Sequence, residues 1–333
     1  MSDQKDPTPY AGLTPEVLFD ALESVGLRPD GRLSALNSYE NRVYQVGLDD
    51  GETRQFVVVK VYRPARWSDA AIGEEHEFVA ELAEVEVPVV APLVIDGATL
   101  HHHAGFRFAF YPRQGGRAPE FDDLETLRRM GRLMARIHAV GARHPFAERP
   151  TLDIEGFGRR SLALLEGQGC VPEELRVAYF SVARQALQGV EHAWSRAGSV
   201  KTLRLHGDCH AGNVLWTDDG PHFVDFDDAR QGPAMQDMWM LFSGDADRQR
   251  RQAVAFLEAY GQFRDFDPAE WHLAEALRTL RLIHHSAWIA RRWADPAFPA
   301  AFTWFGTARY WQDRILELRE QIALLDETPI WLA

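Results

Sequence analysis

The apolar residues of this 333-residue chain change period about a third of the way along, and that change limits the fold more than any other feature. Before residue 113 they mostly alternate. "NRVYQVGL" and "RQFVVVKVY" flank Asp49-Asp50-Gly51, a hairpin turn, and "VPVVAPLVI" and "FRFAFYP" flank a second turn at Asp96-Gly97. Beyond "RQGGR" (113–117) the apolar residues recur at helical spacing, over 122–140, 172–197, 235–260 and 268–325. Two helices interrupt the strand-rich part. Thr14-Pro15 opens one that sets Val17, Leu18, Ala21, Leu22 and Val25 on one face and stops at Gly26; residues 68–84 form the other, with Ile72, Val79, Leu82 and Ala83 apolar. Short strands return only within 203–226. The expected class is therefore α+β, with a β-rich N-lobe over 1–112 (1–13 a loose tail) and a larger, mainly helical C-lobe over 113–333.

Charge narrows the partners. With 36 Lys and Arg against 49 Asp and Glu the net charge is -13, which argues against nucleic acid but leaves room for a nucleotide, since that needs only a few local cations. Two cysteines, Cys170 and Cys209, are too few for a disulfide framework and point to reduced thiols and a cytoplasmic protein. The polar start "MSDQKDPTPYAG" lacks a signal-peptide profile, and no apolar run is long enough to suggest a membrane span.

The chemistry concentrates in "LRLHGDCHAGNVLW" (203–216). His206, Asp208 and Asn213 stand as H-x-D-x-x-x-x-N, the spacing of a protein-kinase catalytic loop, and Asp225 follows in "HFVDFDD". Asn213 and Asp225 supply two kinds of oxygen ligand for a hard cation, and the turn at Asp219-Gly220 draws them together, while Asp208 is left to meet an attacking hydroxyl. A satisfied turn network is the bland alternative; a zinc site from His206, Cys209 and His210 is another, but no second cluster completes it. Lys60, inside "FVVVKVY", is costly to bury unless paired. Glu75, fifteen residues on in "GEEHEF", is the expected partner, ahead of Glu74 and Glu77; an exposed edge-strand lysine is the alternative. No glycine-rich loop precedes these strands. Ser38, Glu40 and Asn41 of "LNSYENRVYQV" could cap phosphates in its place, but on composition alone an ordinary polar turn is the stronger reading. His101-His102-His103, "FGRR" (157–160), "ARRW" (290–293) and the C-terminal tryptophans read as exposed or core residues rather than as sites.

"HGDCHAGNVLW", "FVDFDDARQGPAMQDMWML", "LNSYENRVYQV" and "FVVVKVYRPARW" together resemble the bacterial stress response kinase A family, within the aminoglycoside phosphotransferase and choline kinase superfamily, over residues 13–325. The resemblance implies a bilobal protein-kinase-like fold, ATP and Mg2+ as cofactors, and transfer of the γ-phosphate to serine or threonine hydroxyls of proteins. It implies Asp208 as catalytic base, with Asn213 and Asp225 holding Mg2+ and Asp225 counted with the catalytic residues. It implies nucleotide contacts from Ser38 with Asn41, from Lys60 with Glu75, and from the backbone of a hinge at Phe110, Tyr111 and Pro112, and a bracing role for Asp237. The chain departs from ordinary protein kinases: the glycine-rich loop is missing, eleven residues separate Asp225 from Asp237, and no A-P-E follows, so an activation loop has no room. That keeps a second reading open, a small-molecule kinase acting on an amino alcohol or aminoglycoside. A catalytically dead scaffold is disfavoured because Lys60, Asp208, Asn213 and Asp225 are all present, and a zinc hydrolase comes last.

Overall fold

The computed structural model describes residues 8–49 and 54–329; the expected turn at Asp50-Gly51 and the first seven residues of the expected tail lie outside them. The chain divides into two compact units, one of residues 1–119, 147–149 and 212–227, the other of 120–146, 150–211 and 228–333.

The first unit is built on a five-stranded antiparallel sheet of β1 (Pro29–Leu36), β2 (Arg42–Asp49), β3 (Arg54–Val61), β4 (His101–His103) and β5 (Phe106–Pro112), in the order β1-β2-β3-β5-β4. Helix α1 (Pro15–Ser24), capped by the Thr14 hydroxyl, buries Leu18 and Leu22 with Val46, Val57, Val59, Phe108 and Phe110 on one sheet face. Side chains alternate across a strand, so Val58 and Lys60 turn to the other face. Helix α2 (Asp69–Glu84), capped by Ser68, buries Ile72, Glu75, Phe78, Val79 and Leu82. A later hairpin of β7 (Val214–Thr217) and β8 (Gly220–Phe223) belongs to this unit as well.

Three expectations change here. Residues 8–13 are not loose: Tyr10 and Leu13 pack against the sheet core, and the Tyr10 hydroxyl donates to the Glu40 carbonyl at 2.9 Å. "VPVVAPLVI" makes only isolated bridges, Val89 to Phe223 and Ile95 to Ala98, because Pro88 and Pro92 have no N–H to give a ladder. The edge strand β1 was missed, since "PDGRLSAL" is largely exposed and lacks a clean apolar alternation.

The second unit is mainly helical: α3 (Leu124–Gly141), α4 (Arg160–Gln168), α5 (Glu173–Ala197), α6 (Ala246–Tyr260), α7 (Ala274–Arg291), α8 (Ala297–Ala301) and α9 (Ala308–Asp326), with β6 (Leu203–Leu205) paired to β9 (Arg230–Gly232). Gly131 lets α3 and α6 close together, since a Cβ there would meet the Phe256 carbonyl oxygen at 2.3 Å. The stretches 235–260 and 268–325 are not single helices. Gly244 at φ +97° and the Asp245 cap restart the chain at α6, and Asp295-Pro296 and the Thr307 cap divide the last stretch into α7, α8 and α9. Trp239, Trp271 and Trp311 are buried core residues. Among the described residues no helix is long and apolar enough to cross a membrane.

Candidate active site

The first unit carries a charged cluster around Lys60. β3 lies between β2 and β5, with Lys60 opposite Val43 and Ala109, so the lysine is on a central strand and not an edge. Its Nζ lies 3.4 Å from Glu75 Oε1, 3.2 Å from Asp227 Oδ1 and 3.5 Å from Asp225 Oδ1. Burial favours the neutral amine, but Glu75, Tyr111 and Asp225 reverse this and leave the Lys60 pKa raised. Burial likewise pushes Glu75 up, and Lys60 and Arg149 more than offset it, leaving its carboxyl below the usual range. Both groups are therefore charged at neutral pH.

Arg149 completes the cluster. Its Nη2 donates to Glu75 Oε2 at 2.7 Å, its Nε to the Ala71 carbonyl at 2.8 Å and its Nη1 to the Asp227 carbonyl at 2.9 Å. Arg66 binds the Asp227 carboxylate from another side. Arg149 is wholly buried, so its loss would strand Glu75 next to a single cation. Arg149→Met is expected to destabilise the protein by about 3–5 kcal/mol, read as a lower urea midpoint; an unchanged midpoint would remove Arg149 from this role.

The β7–β8 hairpin brings the two candidate metal ligands together. Val214 pairs with Phe223, and the Val224 N–H donates to the Asn213 carbonyl at 3.1 Å, which leaves Asp225 one residue away. Asp225 sits at φ +60°, an uncommon backbone for an aspartate, and its side chain is 56% exposed, so its carboxylate is not spent in the core. Phe226 anchors the turn edge-on to Phe78 of α2, with ring centroids 5.9 Å apart.

These residues open on a cavity of about 320 Å³, within the range of small-molecule sites. Ser38, Asn41, Lys60, Tyr111, Asn213 and Asp225 are among its walls, with Glu75 and Pro112. The loop without glycines is held by its own polar groups: Ser38 Oγ donates to the Asn41 carbonyl at 3.1 Å, and Asn41 Oδ1 accepts from the Arg63 N–H at 3.0 Å. Phe110 is not among the cavity-lining residues. Its ring is in the sheet core and its carbonyl accepts from the Leu93 N–H at 2.7 Å. At the Tyr111 side a polar chain runs from Tyr111 to the Tyr62 hydroxyl (3.1 Å), to His76 (2.7 Å) and to Thr99 (2.8 Å). Burial drives the His76 pKa down to about 4, so its ring is neutral.

The second unit holds the loop that carries Asp208. Asp237 braces it, accepting from the His206 and Gly207 N–H groups at 2.8 Å each, with His138 Nε2 at 3.3 Å. Gly207 stands at φ +87°, and a Cβ there would meet the Asp228 carbonyl oxygen at 2.1 Å, so no other residue fits. Asp208 is half-buried. Burial pushes its carboxyl up, but His210, with Nε2 at 3.5 Å, and the Arg281 guanidinium paired with it hold it below the usual range. It is thus an ionised proton acceptor at neutral pH. Cys209 faces the core, and burial raises its thiol well above the ordinary value, so it is a poor thiolate ligand. Among the described residues no group of three or more His, Cys, Asp or Glu could hold a metal ion.

A buried, charged lysine beside a carboxylate-rimmed cavity is what a phosphotransferase needs, and the relatives agree. The description "phosphotransferase enzyme family" matches residues 32–274. Stress response kinase A of Escherichia coli (strain K12) is 45% identical over 323 residues, 97% of each chain. The chain belongs to the stress response kinase A family. Another member, the "serine/threonine protein kinase RdoA" of Salmonella typhimurium, is equally similar at 45% identity over 97% of both chains. The fold also matches solved kinases: an amicoumacin kinase in complex with AMP-PNP, Ca2+ and Ami (TM-score 0.71, 18% identity, 95% of this chain and 94% of that one) and a microcompartment-associated aminopropanol kinase (TM-score 0.69, 19% identity, 96% and 99%). This member of the stress response kinase A family is therefore an enzyme, a kinase with an α+β fold.

Sequence reasoning missed four charged residues, three around Lys60 in the first unit and one beside Asp208 in the second. Asp227 and Arg66 stood inside quoted motifs, "DFDD" and "RPARW", without a role. Arg149 and Arg281 carry no local signal, because their partners Glu75 and Asp208 lie 74 and 73 residues away in the chain.

Proposed function

We propose that this kinase binds ATP in the cavity of the first unit and transfers its γ-phosphate to a serine or threonine hydroxyl of a protein. The observation that carries the reading is the convergence of Lys60, Glu75, Asn213 and Asp225 on one cavity wall. Lys60, kept cationic by Glu75, balances phosphate charge; Ser38 and the Asn41 loop cover the phosphates, and Tyr111 and Pro112 border the adenine. Asn213 and Asp225 offer an amide carbonyl and a carboxylate, hard oxygen donors that suit Mg2+ better than zinc. Mg2+ held there would neutralise phosphate oxygens. Asp208 accepts the proton of the acceptor hydroxyl as its oxygen bonds to the γ-phosphorus, while the bond from that phosphorus to the bridging oxygen breaks and ADP leaves. Positioning and electrostatics supply most of the acceleration, and the base adds about 10²- to 10⁴-fold.

In this reading residues 1–112 form the nucleotide lobe and 113–333 the catalytic and substrate lobe, in a cytoplasmic protein whose Cys170 and Cys209 are both free thiols. The protein acceptor follows the name of the Salmonella relative. An amino alcohol or an aminoglycoside is the second reading, supported by the name of the solved aminopropanol kinase.

ATP with Mg2+ is expected to stabilise the protein by about 2.7 kcal/mol at a hundred times Kd, read as a higher melting temperature. Activity is expected to need Mg2+ or Mn2+ and to survive zinc removal. No melting shift at millimolar ATP and Mg2+, or activity lost only when stoichiometric zinc is stripped, would sink the reading.

A further inference from the structure

The surroundings of Asp208 contrast with the rest of the chain. The protein as a whole is acidic, at net charge -13, which would favour cationic acceptors. The second unit nevertheless sets an arginine against Asp208, opposed by the nearby Asp228 carboxylate. Arg281 of α7 pairs its Nη1 with Asp208 Oδ1, and its side chain is still 39% exposed. Arg230 holds Asp228 through Nη2 and, at 2.7 Å, through Nε on its carbonyl. His284, one turn along α7 from Arg281, stacks on Phe157 at 4.1 Å and shares a hydrogen bond with Ser161. Burial drives the His284 pKa to about 3, helped by the charges of Arg230, Arg291 and Arg292 and opposed by Asp228. Burial drives His285 to about 4, with Arg281 and Arg314 acting in the same sense and Asp208 against them. Both rings are therefore neutral. The carboxylates acting on them, Asp208 and Asp228, are each already bound to an arginine.

We propose that Arg281 is a specificity-determining residue, which reads a carboxylate flanking the acceptor hydroxyl, so that the kinase prefers serine or threonine in acidic protein segments. The proposal rests on the reading of Asp208 as the acceptor-side base. A guanidinium is a planar fork that binds a carboxylate through two N–H groups, and Arg281 is reachable from solvent. An acceptor carboxylate that draws Arg281 away also removes a cation from Asp208. That makes Asp208 a stronger base at the moment a correct acceptor arrives. A cationic acceptor would instead meet Arg281 as a like charge and leave Asp208 capped.

The test uses three peptides with one serine each, identical except for flanking Glu, Gln or Lys, and the full-length protein as wild type, R281Q, R281K and R281E. A charge-assisted pair corresponds to about a ten- to hundredfold preference, so wild type is expected to favour the Glu peptide over the Gln peptide by at least about tenfold in kcat/KM, mostly through KM. R281Q is expected to lose this ratio, R281K to recover part of it, and R281E to shift preference to the Lys peptide. Melting with Mg-ATP on each variant separates misfolding from lost recognition. A Glu/Gln ratio near or below one in wild type, or a ratio that survives R281Q, overturns the proposal. If wild type phosphorylates small alcohols but no peptide, the protein-kinase reading fails by itself. The same variants then compare a hydroxy acid with an amino alcohol: a hydroxy-acid preference lost in R281Q supports the role of Arg281, and an amino-alcohol preference overturns it.

Discussion

Asp208→Asn is expected to lower turnover by about a hundredfold or more while Mg-dependent ATP binding stays close to that of the unmodified protein. The carboxylate lies in the second unit on a loop whose backbone is fixed by Asp237, not by Asp208 itself, so the amide can occupy the same place. What disappears is a proton acceptor that His210 and Arg281 keep ionised. The cavity with Lys60, Asn213 and Asp225, proposed to hold ATP, is lined by residues of the first unit and keeps all its groups. Steady-state phosphorylation combined with an ATP titration in the presence of Mg2+ reads both halves. Near-full turnover in the variant would remove Asp208 from the chemistry.

Asp225→Asn should behave differently. It takes a negative charge from the cavity wall, 3.5 Å from Lys60, and weakens the hard-oxygen donor set that Asp225 forms with Asn213. Turnover is expected to fall to background, and the dependence of ATP affinity on Mg2+ to weaken with it. Asparagine tolerates the φ of +60° at this position, so the turn itself should survive. A variant that bound ATP and Mg2+ like the unmodified protein would show that Asp225 is not the metal ligand. The pair of variants separates acceptor chemistry from phosphate chemistry, which neither achieves alone.

The parts of this site that were legible in the sequence are those assembled by short loops. Asn213 and Asp225 are joined by one tight hairpin, and Lys60 and Glu75 by one strand-to-helix step, so spacing alone brings them together. Arg149 and Arg281 are joined to their partners only by the tertiary fold, and nothing local marks them. The same limit applies to the elements. The helix over 68–84 was legible because a capping serine and a continuous apolar face agree. The strand expected at "VPVVAPLVI" failed because apolar character outweighed two prolines, and the long C-terminal helices were divided by Gly244, Asp245, Asp295-Pro296 and Thr307, punctuation weaker than the periodicity around it.

The account turns on one transfer. Purified protein incubated with γ-labelled ATP and Mg2+, with a general protein acceptor and a panel of amino alcohols offered side by side, should place the label on serine or threonine of the protein, and Asp208→Asn should lower its rate by about a hundredfold or more. Label on the amino alcohols alone, or none on any acceptor while ATP and Mg2+ still raise the melting temperature, would contradict it.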